Sequence, residues 1–248
     1  YKRPNDHIRG FSLSRCMQKY WSIVPAAGTG QRFGGEVPKQ FQLLNAKPLA
    51  QHTLTALLSL PVIQKIVVPW DMSFEGWKQV EAIQSPRVQL IDGGSTRAES
   101  VLNGLMSLVD VADPNDWILV HDMARPCVTE KDITSLIDEL KDNSVGGLLV
   151  SPINETLKIV DTSNRVTKTV SREHYRKAQT PQLFRFQLLM SAMKDMLDSQ
   201  YQPTDEAAAM EQAGYKVQTV EGRQDNIKIT CPEDLLIAQA ILVNQGQQ

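Results

Sequence analysis

Short apolar runs alternate with amphipathic segments along almost the whole chain, and this rhythm limits the fold more than any other feature. The runs have the length of buried strands, and the segments between them repeat their apolar residues at helical spacing. Predicted strands cover residues 23–24, 66–68, 88–91, 117–120, 147–150 and 217–220. Predicted helices cover residues 49–60, 74–83, 97–109, 132–140, 186–197 and 206–213, and a last helix begins near residues 230–233 with a capping box. Such alternation is typical of α/β proteins, so we expect a Rossmann-like, mostly parallel sheet with helices on both faces.

The size and charge of the chain limit the kinds of partner that it can bind. A chain of 248 residues, of which 42% are hydrophobic, suits one domain with a large core. The net charge of −2 gives no general attraction to nucleic acid or to an anionic membrane, so neither is expected as a partner. No apolar run is long enough to span a bilayer. A site for anions must therefore be local.

The cysteines and the first residues bear on location and domain limits. Cys16, Cys127 and Cys231 are widely spaced and form no C-x-x-C pair, so neither a zinc site nor a disulfide framework is indicated. We therefore expect a reducing, cytoplasmic location.

Residues 1–16 are polar and basic and precede Met17, so we expect a leader or tag there and a single domain over residues 17–248.

Residues 152–175 interrupt the alternation. Residues 155–160 and 166–170 are rich in β-forming residues and flank a polar turn at residues 161–165, which predicts a β-hairpin. An isolated two-stranded hairpin is only marginally stable in water, so this arm should rest on another surface. We expect that surface to be a second copy of the chain, and so predict a homodimer formed through the arm.

A loop rich in glycine and alanine, residues 25–39, follows the first apolar run. Small side chains let the backbone approach a ligand closely, and successive N–H groups in such a turn form a concavity for phosphate oxygens. Arg32 and Lys39 add positive charge, so the loop predicts a polyphosphate site; the alternative is a tight turn that binds nothing. The Gly-Lys-Ser/Thr of a Walker A loop is missing, and Phe33 takes the third glycine position of a dinucleotide fingerprint.

Two further motifs follow predicted strands, where ligands bind in parallel sheets. Residues 92–101 combine two glycines, hydroxyls and an arginine at a helix start. They suit a base, ribose or phosphate, or else Ser95 is simply an N-cap. In residues 120–126, Asp122 stands at a strand end, where a carboxylate suits Mg²⁺ together with phosphate oxygens. Arg125 suits a phosphate, and the alternative is a salt bridge between Asp122 and Arg125.

These motifs, taken with Thr180-Pro181-Gln182 and residues 221–228, resemble the 2-C-methyl-D-erythritol 4-phosphate cytidylyltransferases of the non-mevalonate isoprenoid pathway. The resemblance runs from about Lys19 to about Leu242. The matching motifs are Pro-Ala-Ala-Gly-x-Gly-x-Arg at 25–32, Pro38-Lys39-Gln40, Asp92-Gly93-Gly94 with Arg97 and Ser100, His121-Asp122 with Ala124-Arg125-Pro126, and Glu221-Gly222-Arg223 with Asp225-Asn226-Ile227-Lys228. Small departures are Met123, Glu155 and Ser95, where the family usually has alanine, aspartate and often an acidic residue.

The resemblance implies a role for each matching residue. Nucleotide contacts would come from Ala26, Ala27, Gly28, Gly94, Ser95 and Ser100. The catalytic cations would be Arg32, Lys39, Arg172 and Lys228, the first two on the triphosphate. The polyol phosphate would be held by Arg125, Thr156, Arg172, Thr180 and Lys228, with the arm exchanged between two subunits. The cofactor would be Mg²⁺ or another divalent cation, bound by Asp122 and, with weaker support, by Asp225.

The implied reaction joins CTP and 2-C-methyl-D-erythritol 4-phosphate by in-line attack on the α-phosphorus. It gives 4-diphosphocytidyl-2-C-methyl-D-erythritol and pyrophosphate. Because both reactants are anions, the main requirement is charge neutralisation and alignment, which suits a set of Arg and Lys residues with Mg²⁺. The alternatives are transfer to another polyol phosphate such as ribitol 5-phosphate, a nucleotide-binding regulator without turnover, and an oxidoreductase, which Phe33 disfavours.

Overall fold

The computed structural model describes residues 18–28, 33, 37–199 and 203–246. Its strands are β1 (Tyr20–Ile23), β2 (Leu43–Leu44), β3 (Lys47–Pro48), β4 (Ile63–Trp70), β5 (Val88–Asp92), β6 (Trp117–Val120), β7 (Gly146–Pro152), β8 (Leu157–Val160), β9 (Val166–Val170), β10 (Arg176–Arg185) and β11 (Gln218–Glu221). Its α-helices are α1 (Leu49–Leu58), α2 (Arg97–Met106), α3 (Glu130–Leu140), α4 (Phe186–Asp198), α5 (Glu206–Gln212) and α6 (Glu233–Asn244). Short 3₁₀ helices cover Lys39–Phe41, Glu75–Gln79 and Glu81–Gln84. Within these residues, no helix combines the length and the apolar character that crossing a membrane requires.

One large sheet organises the described part of the chain. Its strands follow the order β11-β7-β10-β6-β1-β4-β5. β10 runs antiparallel to its neighbours β6 and β7, and the other neighbouring pairs are parallel. The prediction of a mostly parallel sheet is therefore confirmed, and the prediction of a strand over residues 117–120 has the observed bounds.

The sheet carries a core on each face. Successive side chains of a strand point to opposite faces, so Trp117 and Leu119 of β6 join one apolar cluster and Ile118 and Val120 join the other. Buried side chains of α1, α3 and α6 complete the first cluster, and those of α2, α4 and α5 complete the second. Helices thus cover both faces, as the sequence predicts, and leave the carboxyl edge of the sheet for a ligand.

One local prediction is wrong, and one strand of the large sheet was not predicted. Residues 74–83 are predicted as one helix, but two 3₁₀ helices form there, with the extended Val80 between them. The reason is packing. The Trp77 ring lies edge-on against the Phe41 ring, with centroids 5.1 Å apart, and Gly76 lies so close to the Phe41 ring that no side chain would fit there. The strand without a prediction is β10, which carries several polar residues.

The start of α6 also differs from the prediction. Thr230 does not cap the helix, and Pro232 occupies the N-cap position without a side-chain cap hydrogen bond. Instead the Asp234 carboxylate turns back and accepts hydrogen bonds from the Thr230 N–H (2.7 Å), the Thr230 hydroxyl (2.9 Å) and the Cys231 N–H (3.0 Å). The helix start is therefore stabilised by a residue inside its first turn.

The predicted hairpin is confirmed. β8 and β9 pair antiparallel and form a two-stranded sheet separate from the large one. Asp161 orders the turn between them, because its carboxylate accepts hydrogen bonds from the Ser163 and Arg165 N–H groups at 2.8 and 2.9 Å. We call residues 152–175 the arm.

Candidate active site

The loops that follow β1, β5 and β6 lie side by side at the carboxyl edge of the large sheet. Each continues the hydrogen bonding of its strand for a residue or more beyond the strand's end. The joining backbone hydrogen bonds are Ala26 N–Pro69 O (2.8 Å), His121 N–Ile23 O (3.0 Å) and Gly93 N–Trp70 O (2.8 Å). The three predicted motifs therefore come together at one place.

Asp122, just after β6, is nearly buried and is surrounded by cations. Among the described residues, its Oδ1 lies 3.0 Å from Arg97 Nε, and its Oδ2 lies 2.8 Å from Lys228 Nζ and 3.6 Å from Arg125 Nε. We call these four residues the Asp122 cluster. Burial alone would raise the pKa of Asp122, but the charges of Arg97 and Lys228 outweigh it and hold this pKa well below its usual range. The carboxylate is therefore charged and collects positive charge around it.

The backbone of Asp122 is held by Thr180 of β10. The buried Thr180 hydroxyl accepts a hydrogen bond from the Asp122 N–H at 3.0 Å and lies 3.0 Å from His121 Nδ1. His121 Nε2 lies 3.1 Å from the Arg125 carbonyl, which can only accept, so Nε2 donates there and Nδ1 accepts from Thr180. Burial lowers the pKa of His121 to about 4, so the ring is neutral at pH 7. Thr180 thus supports Asp122 from within the protein.

Arg125 braces the segment that carries Lys228. Its Nη1 donates to the Asn226 carbonyl at 2.8 Å, and its Nη2 donates to the Ala178 carbonyl at 3.3 Å. The buried Asn226 amide donates in turn to the Thr180 carbonyl at 2.8 Å. Sequence reasoning assigned Arg125 to a substrate phosphate, yet two of its nitrogen atoms bind backbone carbonyls. Its positive charge still lies next to Asp122.

The glycine loop lies outside the described residues over 29–32 and 34–36, which includes the predicted Arg32. Its described stem is held by Gln40, whose side-chain amide donates to the carbonyls of Ala26 and Gly28 at 3.3 and 3.4 Å. Lys39, on the adjoining 3₁₀ helix, donates to the Ile229 carbonyl at 3.4 Å, so it reaches the segment that carries Lys228. Gln40 is a positioning residue that the motif Pro-Lys-Gln contained but to which sequence reasoning gave no role.

The two predicted nucleotide motifs touch each other. A Cβ on Gly93 would lie 2.2 Å from the Ala27 Cβ, so only glycine allows this approach. The Ser100 hydroxyl accepts a hydrogen bond from the Gly94 N–H at 3.0 Å, which fixes the turn. Ser95 is not an N-cap, because Thr96 caps α2, and the Ser95 hydroxyl donates to the Glu99 carboxylate at 2.5 Å instead.

The arm residues stand apart from the Asp122 cluster. Thr156 and Arg172 are exposed, and their side chains form no hydrogen bond or ion pair within the described part of the chain. Asp225, the second predicted metal ligand, is paired with Arg223 instead of joining the cluster.

The predicted carboxylates do not fit a metal site built by the protein. Both oxygens of Asp122 already face cations, which would repel a divalent ion, and Asp225 is taken by Arg223. Residues 18–28, 33, 37–199 and 203–246 contain no group of three or more His, Cys, Asp or Glu residues that could hold a metal ion. The sequence located Asp122 at a strand end but gave no sign that several cations converge on it.

Glu206 contacts the Asp122 cluster, and sequence reasoning gave it no role. It lies at the start of α5, where an acidic residue is expected simply to complement the helix dipole. In the structure it is fully buried and accepts hydrogen bonds from Arg97 Nη1 at 2.7 Å and from Arg97 Nη2 at 3.0 Å. No local sequence signal distinguishes this pairing, because the two residues are far apart in the chain.

A mostly parallel sheet whose carboxyl edge carries a glycine-lined loop and a concentration of cations defines an α/β enzyme that binds phosphorylated nucleotides. Residues 21–244 match the family described as IspD, 2-C-methyl-D-erythritol 4-phosphate cytidylyltransferase. The chain therefore belongs to the IspD family.

Relatives cover almost the full length of the chain. The enzyme of this name from Pseudomonas savastanoi pv. phaseolicola is 43% identical over 217 residues, which is 87% of this chain and 92% of the relative. The one from Pseudomonas aeruginosa is also 43% identical, over 89% of this chain and 94% of the relative. The crystal structure of the Francisella tularensis enzyme superposes with a TM-score of 0.76 at 35% identity and covers 91% of this chain and all of the other.

Proposed function

We propose that this protein transfers a cytidylyl group from CTP to 2-C-methyl-D-erythritol 4-phosphate, with release of pyrophosphate. Relatives at 43% identity carry the name of that activity. The observation that carries the proposal is the Asp122 cluster, in which Arg97, Arg125 and Lys228 converge beside the glycine motifs. A site of this kind suits two substrates that are both anions.

The chemistry asks for alignment and charge neutralisation. A phosphate oxygen of the methylerythritol phosphate attacks the α-phosphorus of CTP, one P–O bond forms, and the bond to the leaving pyrophosphate breaks. The attacking oxygen already carries negative charge, so no side chain has to remove a proton. Cations fixed before the substrates bind stabilise the transition state without reorganisation. We assign this role to Lys228, whose side chain is 39% exposed, and to Lys39.

We assign the nucleotide to the surface where the β1 loop meets the β5 loop. Ala26, Ala27 and Gly28 supply backbone at one side, and Gly94 with Ser100 supplies it at the other. The close contact of Ala27 with Gly93 leaves no side chain between these stretches of backbone. Arg32, which lies outside the described residues, is proposed to hold the triphosphate together with Lys39.

We also infer that the reaction uses Mg²⁺ or another divalent cation. Mg²⁺ prefers phosphate oxygens and water with few protein ligands, which is compatible with the poor fit of Asp122 and Asp225. When bound, such an ion supplies neutralisation of the phosphate charge. The residues of the chain supply the rest: Asp122 orients Lys228, and Lys228 faces the substrates.

The proposal includes a homodimer in which the arm of one subunit enters the site of the other. Apolar side chains on the arm stand about half exposed, as expected of a surface that meets a partner. Its exposed members are Ile159, Val160, Val166 and Tyr175. Arg172 and Thr156 would then hold the polyol phosphate across the interface. We place the enzyme in the cytoplasm, where free thiols such as those of Cys127 and Cys231 persist.

A pyrophosphate-release assay tests the function. The purified protein is supplied with CTP, Mg²⁺ and 2-C-methyl-D-erythritol 4-phosphate, and the released pyrophosphate is hydrolysed and measured as phosphate. Parallel reactions replace CTP by ATP, GTP or UTP, and replace the acceptor by ribitol 5-phosphate. We expect release with CTP and the methylerythritol phosphate. Faster release with ribitol 5-phosphate, or none with any pair, would contradict the proposal.

A further inference from the structure

The pair formed by Glu206 and Arg97 connects the Asp122 cluster to the start of α5. Glu206 is fully buried and accepts from both terminal nitrogen atoms of Arg97, at 2.7 and 3.0 Å. Removing a carboxylate from water carries a large desolvation penalty, which only a well-formed ion pair with good hydrogen bonds can offset. Such a pair gives little net stability, so its use is better sought in the geometry it imposes.

The start of α5 is locked to β10, so the position of Glu206 is fixed. Asp205 caps the helix by accepting from the Ala208 N–H at 2.9 Å. The buried Gln182 of β10 donates to the other Asp205 oxygen at 2.9 Å and accepts from the Ala207 N–H at 2.8 Å. The strand that holds the Asp122 backbone through Thr180 therefore also holds the helix that carries Glu206.

Arg97 transmits this position to Asp122. A guanidinium is planar, so once Nη1 and Nη2 both face Glu206, the direction of Nε is set as well. That Nε donates to Asp122 Oδ1 at 3.0 Å, and the second oxygen, Oδ2, then faces Lys228 Nζ at 2.8 Å. Burial alone would lower the pKa of Arg97, but Glu206 and Asp122 raise it well above its usual value, so Arg97 stays charged.

We propose that Glu206 is a positioning residue for the transfer reaction: through Arg97 it orients Asp122, and through Asp122 it orients the Lys228 ammonium group toward the substrates. The proposal deepens the proposed function and rests on it. Glu206 touches no reacting atom. Without its charge, Arg97 is free to turn its terminal nitrogen atoms toward Asp122 and to displace Lys228 from Oδ2.

The first test compares Glu206→Gln with Glu211→Gln, which removes one exposed carboxylate from the same helix. We expect Glu206→Gln to lower kcat by about 10- to 100-fold, because small displacements of an aligned group have effects of that order, and to leave the KM for CTP within about twofold. Glu206→Asp, which keeps the charge, should recover part of the lost kcat. Glu211→Gln should match the wild type. A wild-type kcat for Glu206→Gln, or a loss that appears only in KM, overturns the proposal.

The second test separates positioning from stability. In a Lys228→Met background, Glu206→Gln should lower the remaining rate by less than about twofold, because the residue through which it acts is gone. If the double variant instead shows the full product of the two single-variant losses in rate, the proposal is overturned. If Glu206→Gln does not fold, Arg97→Lys interrupts the same connection from the other end, and the same two expectations apply to it.

Failure of the proposed function gives a different result. In that case the wild type and Glu211→Gln would themselves release no pyrophosphate from CTP and methylerythritol phosphate. The inference about Glu206 is tested when those two proteins are active, and it then fails if Glu206→Gln gives any of the contradicting results named above.

Discussion

The Asp122 cluster and the arm hold their proposed functional residues in opposite ways. In the cluster, the Asp122 carboxylate is buried and contacts Arg97, Arg125 and Lys228. Arg97 is held in turn by Glu206, and Arg125 by backbone carbonyls. On the arm, Arg172 is exposed, and the two-stranded sheet has no strand neighbour in the large sheet. One region is ordered by the core of its own chain, and we propose that a partner subunit orders the other.

Burial explains why the same kinds of side chain behave differently in the two regions. Charges in a partly dry environment interact more strongly than in water, so the pairs of the Asp122 cluster have well-defined geometry. The ion pair between Lys177 and Glu155, next to the arm's strands, spans 3.5 Å and is more than half exposed on both sides. Exposed pairs of this kind contribute little to stability. The geometry of the cluster is therefore set by contacts within one chain, whereas we propose that the arm also depends on a partner subunit.

Replacement of Lys228 should have the largest effect. Lys228→Ala is expected to lower kcat/KM by about 10²- to 10³-fold, as the loss of a preorganised group that stabilises transition-state charge does in other enzymes. Because the side chain is partly exposed, the melting temperature should change little. Pyrophosphate release and thermal unfolding measure the two quantities. Lys216→Ala, which removes an exposed lysine elsewhere, is the control and should retain full activity.

Stability should fall in acid because of His121. Burial lowers its pKa from 6.5 to about 4, so between these values the unfolded chain binds the proton more readily than the folded one. The stabilisation that comes from neutral His121 is therefore complete above pH 6.5 and is lost as the pH falls toward 4; it amounts to about 3 kcal/mol. His52, whose pKa burial also lowers, contributes in the same direction.

Urea unfolding at pH 7.5 and at pH 4.5 measures this dependence. His121→Gln should show a smaller difference between the two values of pH than the wild type. His174→Gln, which changes an exposed histidine on the arm, should show the wild-type difference. Equal differences in all three proteins would remove His121 as the source of the acid sensitivity.

Replacing threonine by valine should change the free energy of unfolding by different amounts in the two regions. Thr180→Val removes a buried hydroxyl and leaves the Asp122 N–H and His121 Nδ1 without their partner, so it should destabilise folding by about 1–3 kcal/mol. Thr167→Val removes an exposed hydroxyl that donates to the Ile159 carbonyl of the arm, and its effect should stay within about 0.5 kcal/mol. Denaturant unfolding of the two variants compares the regions directly. Similar losses in both would contradict the contrast.

The sequence predicted the fold well because buried strands and amphipathic helices leave strong periodic signals. Strand β10 was not predicted because Gln179, Thr180 and Gln182 interrupt its apolar pattern. Each of these side chains has a hydrogen-bond partner in the structure. The prediction of a helix at residues 74–83 was wrong because aromatic packing around Trp77 outweighs the helical spacing of the apolar residues. Tertiary contacts decide such segments, and a single sequence does not display them.

The site was predicted as a set of residues but not as a geometry. The position of Asp122 at a strand end follows from the pattern, whereas its several cationic partners come from distant loops. Asp122, predicted as a metal ligand, contacts cations in the structure, and Arg125, predicted to bind a substrate phosphate, also donates to backbone carbonyls; both predicted roles stay predictions. Glu206 left no signal, because its partner Arg97 lies in a different part of the chain. Long-range ion pairs are the information that sequence patterns lack.

Mixing two inactive variants tests most directly whether the site consists of a buried cluster in one subunit and an arm from the other. Lys228→Ala and Arg172→Ala are each expected to be nearly inactive alone. Co-expressed with different tags, they form mixed dimers in which one site holds both defects and the other holds neither. We predict that the random mixture recovers about a quarter of wild-type activity, since half of the dimers are mixed and each has one intact site. A mixture no more active than its parents would mean that the arm serves its own subunit, or neither, and would contradict this account.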